Sequence, residues 1–123
     1  MKRILIVDDA ATVRMFHRSI LENAGFEVDE AINGVEALEK TLQNPFDLYL
    51  VDVNMPKLDG YGFLRQLREL PVPQVPAIMI STEAEANDVQ LAFTAGANAY
   101  LIKPTKPDLL LQQIQLLLGD GSI

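Results

Sequence analysis

The sequence predicts an α/β domain: a five-stranded parallel sheet, doubly wound as (βα)5, with helices on both faces. Three observations carry this. Strand and helix signals alternate five times with short connections. Four of the five strand segments carry short apolar runs, as expected for strands buried on both faces. Three of those runs end in polar side chains: Ile4-Leu5-Ile6-Val7 in Asp8-Asp9, Leu48-Tyr49-Leu50-Val51 in Asp52, and Tyr100-Leu101-Ile102 in Lys103-Pro104. In sheets of this kind the ligand site lies at the carboxyl ends of the strands. Three carboxylates and a lysine are therefore expected to converge at one edge.

The elements follow in order. Strand one is expected over about Arg3 to Asp8. Helix one runs from about Ala11 to Ala24 and stops at Gly25, a residue suited to a left-handed C-terminal cap. Strand two covers Glu27 to Ala31. Asn33-Gly34 turns into helix two, about Val35 to Gln43, which ends before Pro45. Strand three is Leu48 to Asp52. A loop holding Pro56 follows, and helix three runs from Gly60 to about Leu70. The prolines at 71, 73 and 76 forbid its continuation. Strand four is Ala77 to Ser81, and helix four spans roughly Glu85 to Ala95, closed by Gly96. Strand five is Ala99 to Ile102. Helix five starts near Pro107, a favoured first-turn residue, and ends near Gly119. Residues 1–119 form the domain, and 120–123 form a short flexible tail.

The bulk properties agree. The 123 residues suffice for one domain with a real core; 49% are hydrophobic and 22% charged. A net charge of -7 argues against binding nucleic acid or an anionic membrane. With no cysteine, disulfides, thiol catalysis and cysteine–zinc sites are excluded. Met1-Lys2-Arg3 leads straight into a strand too short for a signal peptide's apolar region, and no apolar stretch approaches the ~20 residues of a membrane span. A cytoplasmic protein is expected.

Asp8 and Asp9 on their own could merely favour the positive end of helix one. Asp52 is harder to dismiss, because a carboxylate closing a buried strand is costly unless paired or metal-bound. Two carboxylates ~4 Å apart repel by roughly 4 kcal/mol at an effective dielectric of 20. Three together call for a cation, and hard oxygen donors favour Mg²⁺ or Mn²⁺.

This constellation resembles the receiver domain of two-component response regulators over nearly the whole chain. The pattern is an acid pair after strand one, an aspartate after strand three, a Ser or Thr after strand four, and Lys-Pro after strand five. Here these are Asp8-Asp9, Asp52, Ser81 and Lys103-Pro104. Asp52-Val53-Asn54-Met55-Pro56-Lys57-Leu58-Asp59-Gly60 and Ala95-Gly96-Ala97 also match. The resemblance implies the flavodoxin-like, CheY-like strand order 2-1-3-4-5. It implies that Asp52 is phosphorylated by a phosphohistidine of a histidine kinase or phosphotransfer protein. Asp9, Asp52 and the Asn54 backbone carbonyl would hold Mg²⁺, with Asp8 acting through water. Ser81, a backbone N–H of Thr82, and Lys103 would bind the phosphoryl oxygens. Asn54 and Glu83 would tune dephosphorylation, as in chemotaxis regulators. The Thr82 side chain, larger than the family's usual Ala or Gly, would narrow access. Lys103-Pro104 would be a cis peptide bond, and Tyr100 the switching aromatic. The chemistry would be self-phosphorylation and self-dephosphorylation only, without turnover of a separate substrate.

Helix one carries a second reading. Val13, Phe16, Ile20 and Ala24 recur at helical spacing and are expected to face the core. Arg14, Met15 and Arg18 would then point outward as a docking surface for the phosphodonor. His17 sits beside the stripe, where related sequences are often apolar, and is assigned no role. Helix five holds seven aliphatic residues between Asp108 and Leu118 and no cation. Leu110, Ile114 and Leu117 suffice for its core stripe. Leu111, Leu116 and Leu118 then suggest either a wider buried face or a homodimer surface.

The expected function is a stand-alone receiver in chemotaxis or motility signalling or a phosphorelay, switching a face for a downstream target protein. A phosphate sink, a receiver cut from a longer regulator, and a degenerate receiver acting as a constitutive binding module are the alternatives. An aspartyl-phosphate hydrolase lacks its second acid, since Asn54 stands two after Asp52. A flavin-binding module would meet repulsion of its phosphate by Asp8-Asp9.

Overall fold

The computed structural model describes residues 2–119. Its strands are β1 (Arg3–Val7), β2 (Glu27–Ala31), β3 (Leu48–Asp52), β4 (Ala77–Ser81) and β5 (Ala99–Ile102). Its helices are α1 (Ala11–Asn23), α2 (Gly34–Gln43), α3 (Gly60–Leu67), α4 (Ala86–Ala95) and α5 (Pro107–Leu118). The sheet has the order β2-β1-β3-β4-β5 with every pair parallel, as expected. The tail at 120–123 lies outside the described residues.

Alternate side chains of each strand enter two separate cores. Leu5, Val7, Tyr49, Val51 and Met79 pack with Ala37 of α2, Phe63 and Leu67 of α3, and Ala92 of α4. Ile4, Ile6, Leu50 and Ile80 pack with Leu21 of α1 and Leu110 and Ile114 of α5. Every residue of β3 and β4 is buried, which is why these strands read as unbroken apolar runs. Chain order reverses between β1 and β3. Their carboxyl ends therefore open the crevice where such folds bind ligands.

Local chemistry sets the helix starts around that crevice. Asn33 Oδ1 accepts from Glu36 N at 2.9 Å while Glu36 Oε1 accepts from Ile32 N at 2.9 Å, a reciprocal cap on α2. Asp59 Oδ1 accepts from Gly62 N at 2.8 Å and caps α3. Gly60 needs to be glycine because a Cβ there would lie 2.4 Å from the Asp52 carbonyl oxygen and 2.6 Å from Met79 Cε. That close approach seats the start of α3 against the end of β3.

Three expectations need correction. Helix α3 stops at Leu67, short of Leu70. Beyond it the chain tightens into turns, with Glu69 N donating to Gln66 O and Leu70 N to Leu67 O at 3.1 Å each, while the Arg68 guanidinium donates to Gly96 O at 2.7 Å and Val75 O at 2.8 Å. Helix α1 is rotated from the expected phase: Phe16 and Ala24 are exposed, while His17 and Leu21 are buried. The inward side chains follow i, i+4 spacing from His17 to Leu21, with Val13 and Ile20 half-buried beside them. On α5, Leu111 and Leu118 pack against the core together with Leu117. Leu116 alone of the three flank leucines stands out, at 67% exposure. The wider buried face accounts for most of this helix's apolar excess.

Candidate functional site

Four strand ends build the site. Asp8 and Asp9 follow β1, Asp52 ends β3, Ser81 ends β4, and Lys103 follows β5. Asp8 and Asp52 are only 3% and 6% exposed, while Asp9 is open to solvent. One carboxylate oxygen from each of the three lies within 4.8 Å of the others.

Lys103 enters this cluster from the opposite wall. Its Nζ donates to Asp52 Oδ1 at 2.9 Å and reaches Asp8 Oδ2 at 3.4 Å. Its backbone N–H donates to Ser81 O at 2.8 Å, which ties the lysine to the end of β4. The Lys103–Pro104 bond is cis, as expected. The other oxygen of Asp8 accepts from Ala10 N at 2.9 Å, so both of its oxygens are partnered.

The electrostatics divide unequally across the ion pair. Burial pushes the Asp52 carboxyl above its ordinary value, and Asp8 and Asp9 add to this; the Lys103 hydrogen bond opposes it without prevailing. For Lys103 burial favours the neutral amine, but the Asp52 hydrogen bond and the charges of Asp8 and Asp52 outweigh it and raise its value. The lysine is thus firmly cationic, in a pocket with more negative charge than it neutralises.

The hydroxyl side is linked to Tyr100. Ser81 is buried, and its Oγ accepts from Glu83 N at 3.0 Å. Tyr100 Oη donates to Glu83 O at 2.8 Å. One peptide segment therefore holds both hydroxyls. Thr82 and Glu83 are exposed beside the cluster, and Asn54 is exposed just after β3.

The surface expected on α1 is assembled differently. Met15 is 69% exposed, as expected. Arg14 folds inward, donating to Glu30 Oε1 at 2.7 Å and to the Asp8 carbonyl at 2.7 Å. Arg18 bonds Glu22 at 3.0 Å and also pairs with Glu30. Neither arginine is a free cation. The acid on β2 that claims both of them is the reason.

Sequence reading missed His17, Thr105 and the inward role of Arg14. His17 Nε2 lies 2.8 Å from Thr105 Oγ1 in a buried contact between α1 and the β5–α5 loop. A spacing signal existed, since His17 lies four after Val13 and four before Leu21. Both residues border a cavity of about 360 Å³ that also reaches Phe16, Thr82, Lys103 and Pro104.

An acid cluster and a paired lysine at the switch point of a 2-1-3-4-5 sheet define a receiver fold. The chain matches the response regulator receiver domain model over residues 4–115 and belongs to that family. It is 41% identical over 113 residues to the chemotaxis protein CheY of Bacillus subtilis (strain 168), covering 91% of this chain and 93% of that protein. It is also 41% identical over 102 residues to a gliding motility regulatory protein of Myxococcus xanthus, covering 82% of this chain but only 13% of that protein. Among solved structures, chemotaxis protein CheY4 of Vibrio cholerae superposes with a TM-score of 0.90 at 35% identity, covering 95% of this chain and 98% of the other. The likeness thus extends to proteins of about this length and to one domain of a far longer protein.

Proposed function

We propose that Asp52 accepts a phosphoryl group from a phosphohistidine of a histidine kinase or phosphotransfer protein. The phosphorylated chain then presents a changed face to a target protein, in chemotaxis or motility signalling or a phosphorelay. The observation that carries this is Lys103 Nζ at 2.9 Å from Asp52, within a cluster of three carboxylates.

The donor set fits Mg²⁺. It offers carboxylate oxygens from Asp8, Asp9 and Asp52, with the Asn54 carbonyl close in sequence and no thiolate or imidazole. When bound, Mg²⁺ supplies charge neutralisation to the carboxylates and the incoming phosphoryl oxygens.

The chain's own groups do the rest. An oxygen of Asp52 forms the new bond to phosphorus as the donor's P–N bond breaks, and the imidazole nitrogen leaves with that electron pair. Lys103 sits beside the Asp52 oxygen and would neutralise charge on the transferred group. The Ser81 hydroxyl and the Thr82 N–H donate to it from the β4 side. Turning Ser81 to the phosphoryl group removes the acceptor of the Glu83 N–H. That loosens the same segment whose carbonyl holds Tyr100. Tyr100 then leaves its Glu83 contact, and the face around β5 changes. This is a population shift, requiring phosphorylation to favour one state by a few kcal/mol. Asn54 and Glu83 flank the phosphoryl position and set its lifetime. Exposed Met15, with Arg18 beside it, forms part of the donor's docking surface.

The test is intact-mass spectrometry after incubation with Mg²⁺ and phosphoramidate. A single phosphoryl adduct is expected that is abolished by Asp52→Asn and by a chelator. Because the acyl phosphate is labile, beryllofluoride binding is measured in parallel. No adduct and no beryllofluoride binding would sink the proposal.

A further inference from the structure

His17, the chain's one histidine, takes no part in the phosphoryl chemistry above. We infer that His17 and Thr105 form a positioning link that holds the Lys103-Pro104-Thr105 segment, and so sets Lys103 on Asp52. The inference rests on the phosphoacceptor reading and adds a determinant from helix α1.

The lysine segment is tied on one side by Lys103 N donating to Ser81 O at 2.8 Å. Two residues later the Thr105 side chain is buried, and its hydroxyl meets His17 Nε2 at 2.8 Å. The histidine is itself only 2% exposed. Between these two anchors the backbone borders the cavity of about 360 Å³, which lies against Lys103, Pro104 and Thr105. Packing fixes side chains where the interior is dense, and it cannot fix a segment with open space on one side. The hydrogen bond supplies what packing does not.

Burial as a pair also explains why these polar groups are tolerated. A buried hydroxyl or imidazole nitrogen without a partner is costly, and here the Thr105 hydroxyl and His17 Nε2 partner one another. Burial keeps the imidazole below its ordinary value, with Asp8 opposing and Lys103 reinforcing that effect. A neutral ring has one donor and one acceptor nitrogen, so either tautomer pairs with a hydroxyl. Phe16 lies against the ring, with centroids 5.4 Å apart and the planes tilted by 56°. The contact spans 88 residues of sequence. It also connects the proposed donor-docking helix to the residue that would meet the phosphoryl group.

The experiment measures adduct formation on the full chain against phosphoramidate concentration, separating the saturated rate from the half-saturating concentration. Free Mn²⁺ is titrated by electron paramagnetic resonance to read the cation site independently. Thr105→Val is isosteric and removes only the hydroxyl; His17→Leu removes the ring. Each is expected to lower the saturated rate about tenfold with unchanged Mn²⁺ affinity. The double variant is expected to lose no more than either single one, because one link is broken in all three. Thr105→Ser and His17→Gln keep a hydrogen-bonding group and are expected to stay within about twofold of wild type. Wild-type rates in Thr105→Val, or a loss matched by weaker Mn²⁺ binding, would overturn the positioning role while leaving the phosphoacceptor reading intact. A wild-type chain that forms no adduct would remove both.

Discussion

Replacing Lys103 by methionine keeps the length of the side chain and removes the charge that joins Asp8 to Asp52. The two acids are nearly fully buried, with oxygens within 4.8 Å of one another. At an effective dielectric of 20 their repulsion is at least about 3.5 kcal/mol, and the Lys103–Asp52 attraction lost at 2.9 Å is about 6 kcal/mol. Relaxation and water entry reduce the net cost, and breaking a buried pair typically costs about 3–5 kcal/mol. The lysine side chain keeps 20% of its exposure, which favours the low end. Lys103→Met is therefore expected to destabilise the metal-free protein by about 3 kcal/mol near pH 8, a melting-temperature drop of roughly 10 °C. The loss has a defined pH dependence. The Asp52 carboxyl is already raised by burial, and removing the lysine raises it further. A carboxyl whose folded-state pKa lies above its unfolded value destabilises the fold only when ionised. The penalty is thus absent below the unfolded value near ~4, grows through the window between the two values, and is complete above the folded one. Near pH 5 the variant is expected to fall within about 1 kcal/mol of wild type. Mg²⁺ should restore much of the difference near pH 8 by replacing the missing cation. Thermal unfolding of both proteins at the two pH values, with Mg²⁺ or a chelator, reads all three effects. Equal destabilisation at both pH values, or a variant as stable as wild type near pH 8, would refute the charge argument.

Other perturbations follow from the same geometry. Gly60→Ala places a Cβ 2.4 Å from the Asp52 carbonyl oxygen, so backbone must shift at the phosphoacceptor strand. A loss of about 1–3 kcal/mol in denaturant unfolding is expected, with weakened Mg²⁺ binding; an unperturbed variant would refute the close-approach argument. Tyr100→Phe removes only the hydroxyl donated to Glu83 O, so it should shift the switch by about 1 kcal/mol toward the state in which the ring has left that contact. Nuclear magnetic resonance shifts of Glu83 and Ser81 moving partway toward their beryllofluoride-bound positions would register this; static shifts would exclude the coupling. Because Leu111 and Leu118 are taken up by the chain's own core, the protein is expected to sediment as a monomer in the micromolar range. A concentration-dependent dimer abolished by Leu116→Gln would show that the exposed Leu116 suffices as an interface after all.

Strand positions were legible because β3 and β4 are buried along their whole length, and β1 from its second residue on. Such a run has no competing reading as a surface element. The site was legible for a related reason. Asp8, Asp52 and Lys103 each interrupt an apolar run where a strand stops, and the parallel topology forces those stops to one edge. The pairing inside the edge was not legible. Whether Arg14 points out or folds onto Glu30 depends on which acid β2 presents across a gap of 16 residues. Nothing in the spacing along α1 encodes that.

The rotation of α1 is the most instructive departure. A pattern built from apolar residues alone selects Phe16 and Ala24 and skips His17, because an imidazole scores as polar. Its free energy of burial is not a property of the residue but of the partner it meets. Thr105 supplies that partner from 88 positions away. Together with Leu21, His17 sets the inward face and turns Phe16 toward the cavity. The inward face of this helix thus includes a tertiary hydrogen bond, and the residue that hydropathy discards links the helix to the lysine end of the site.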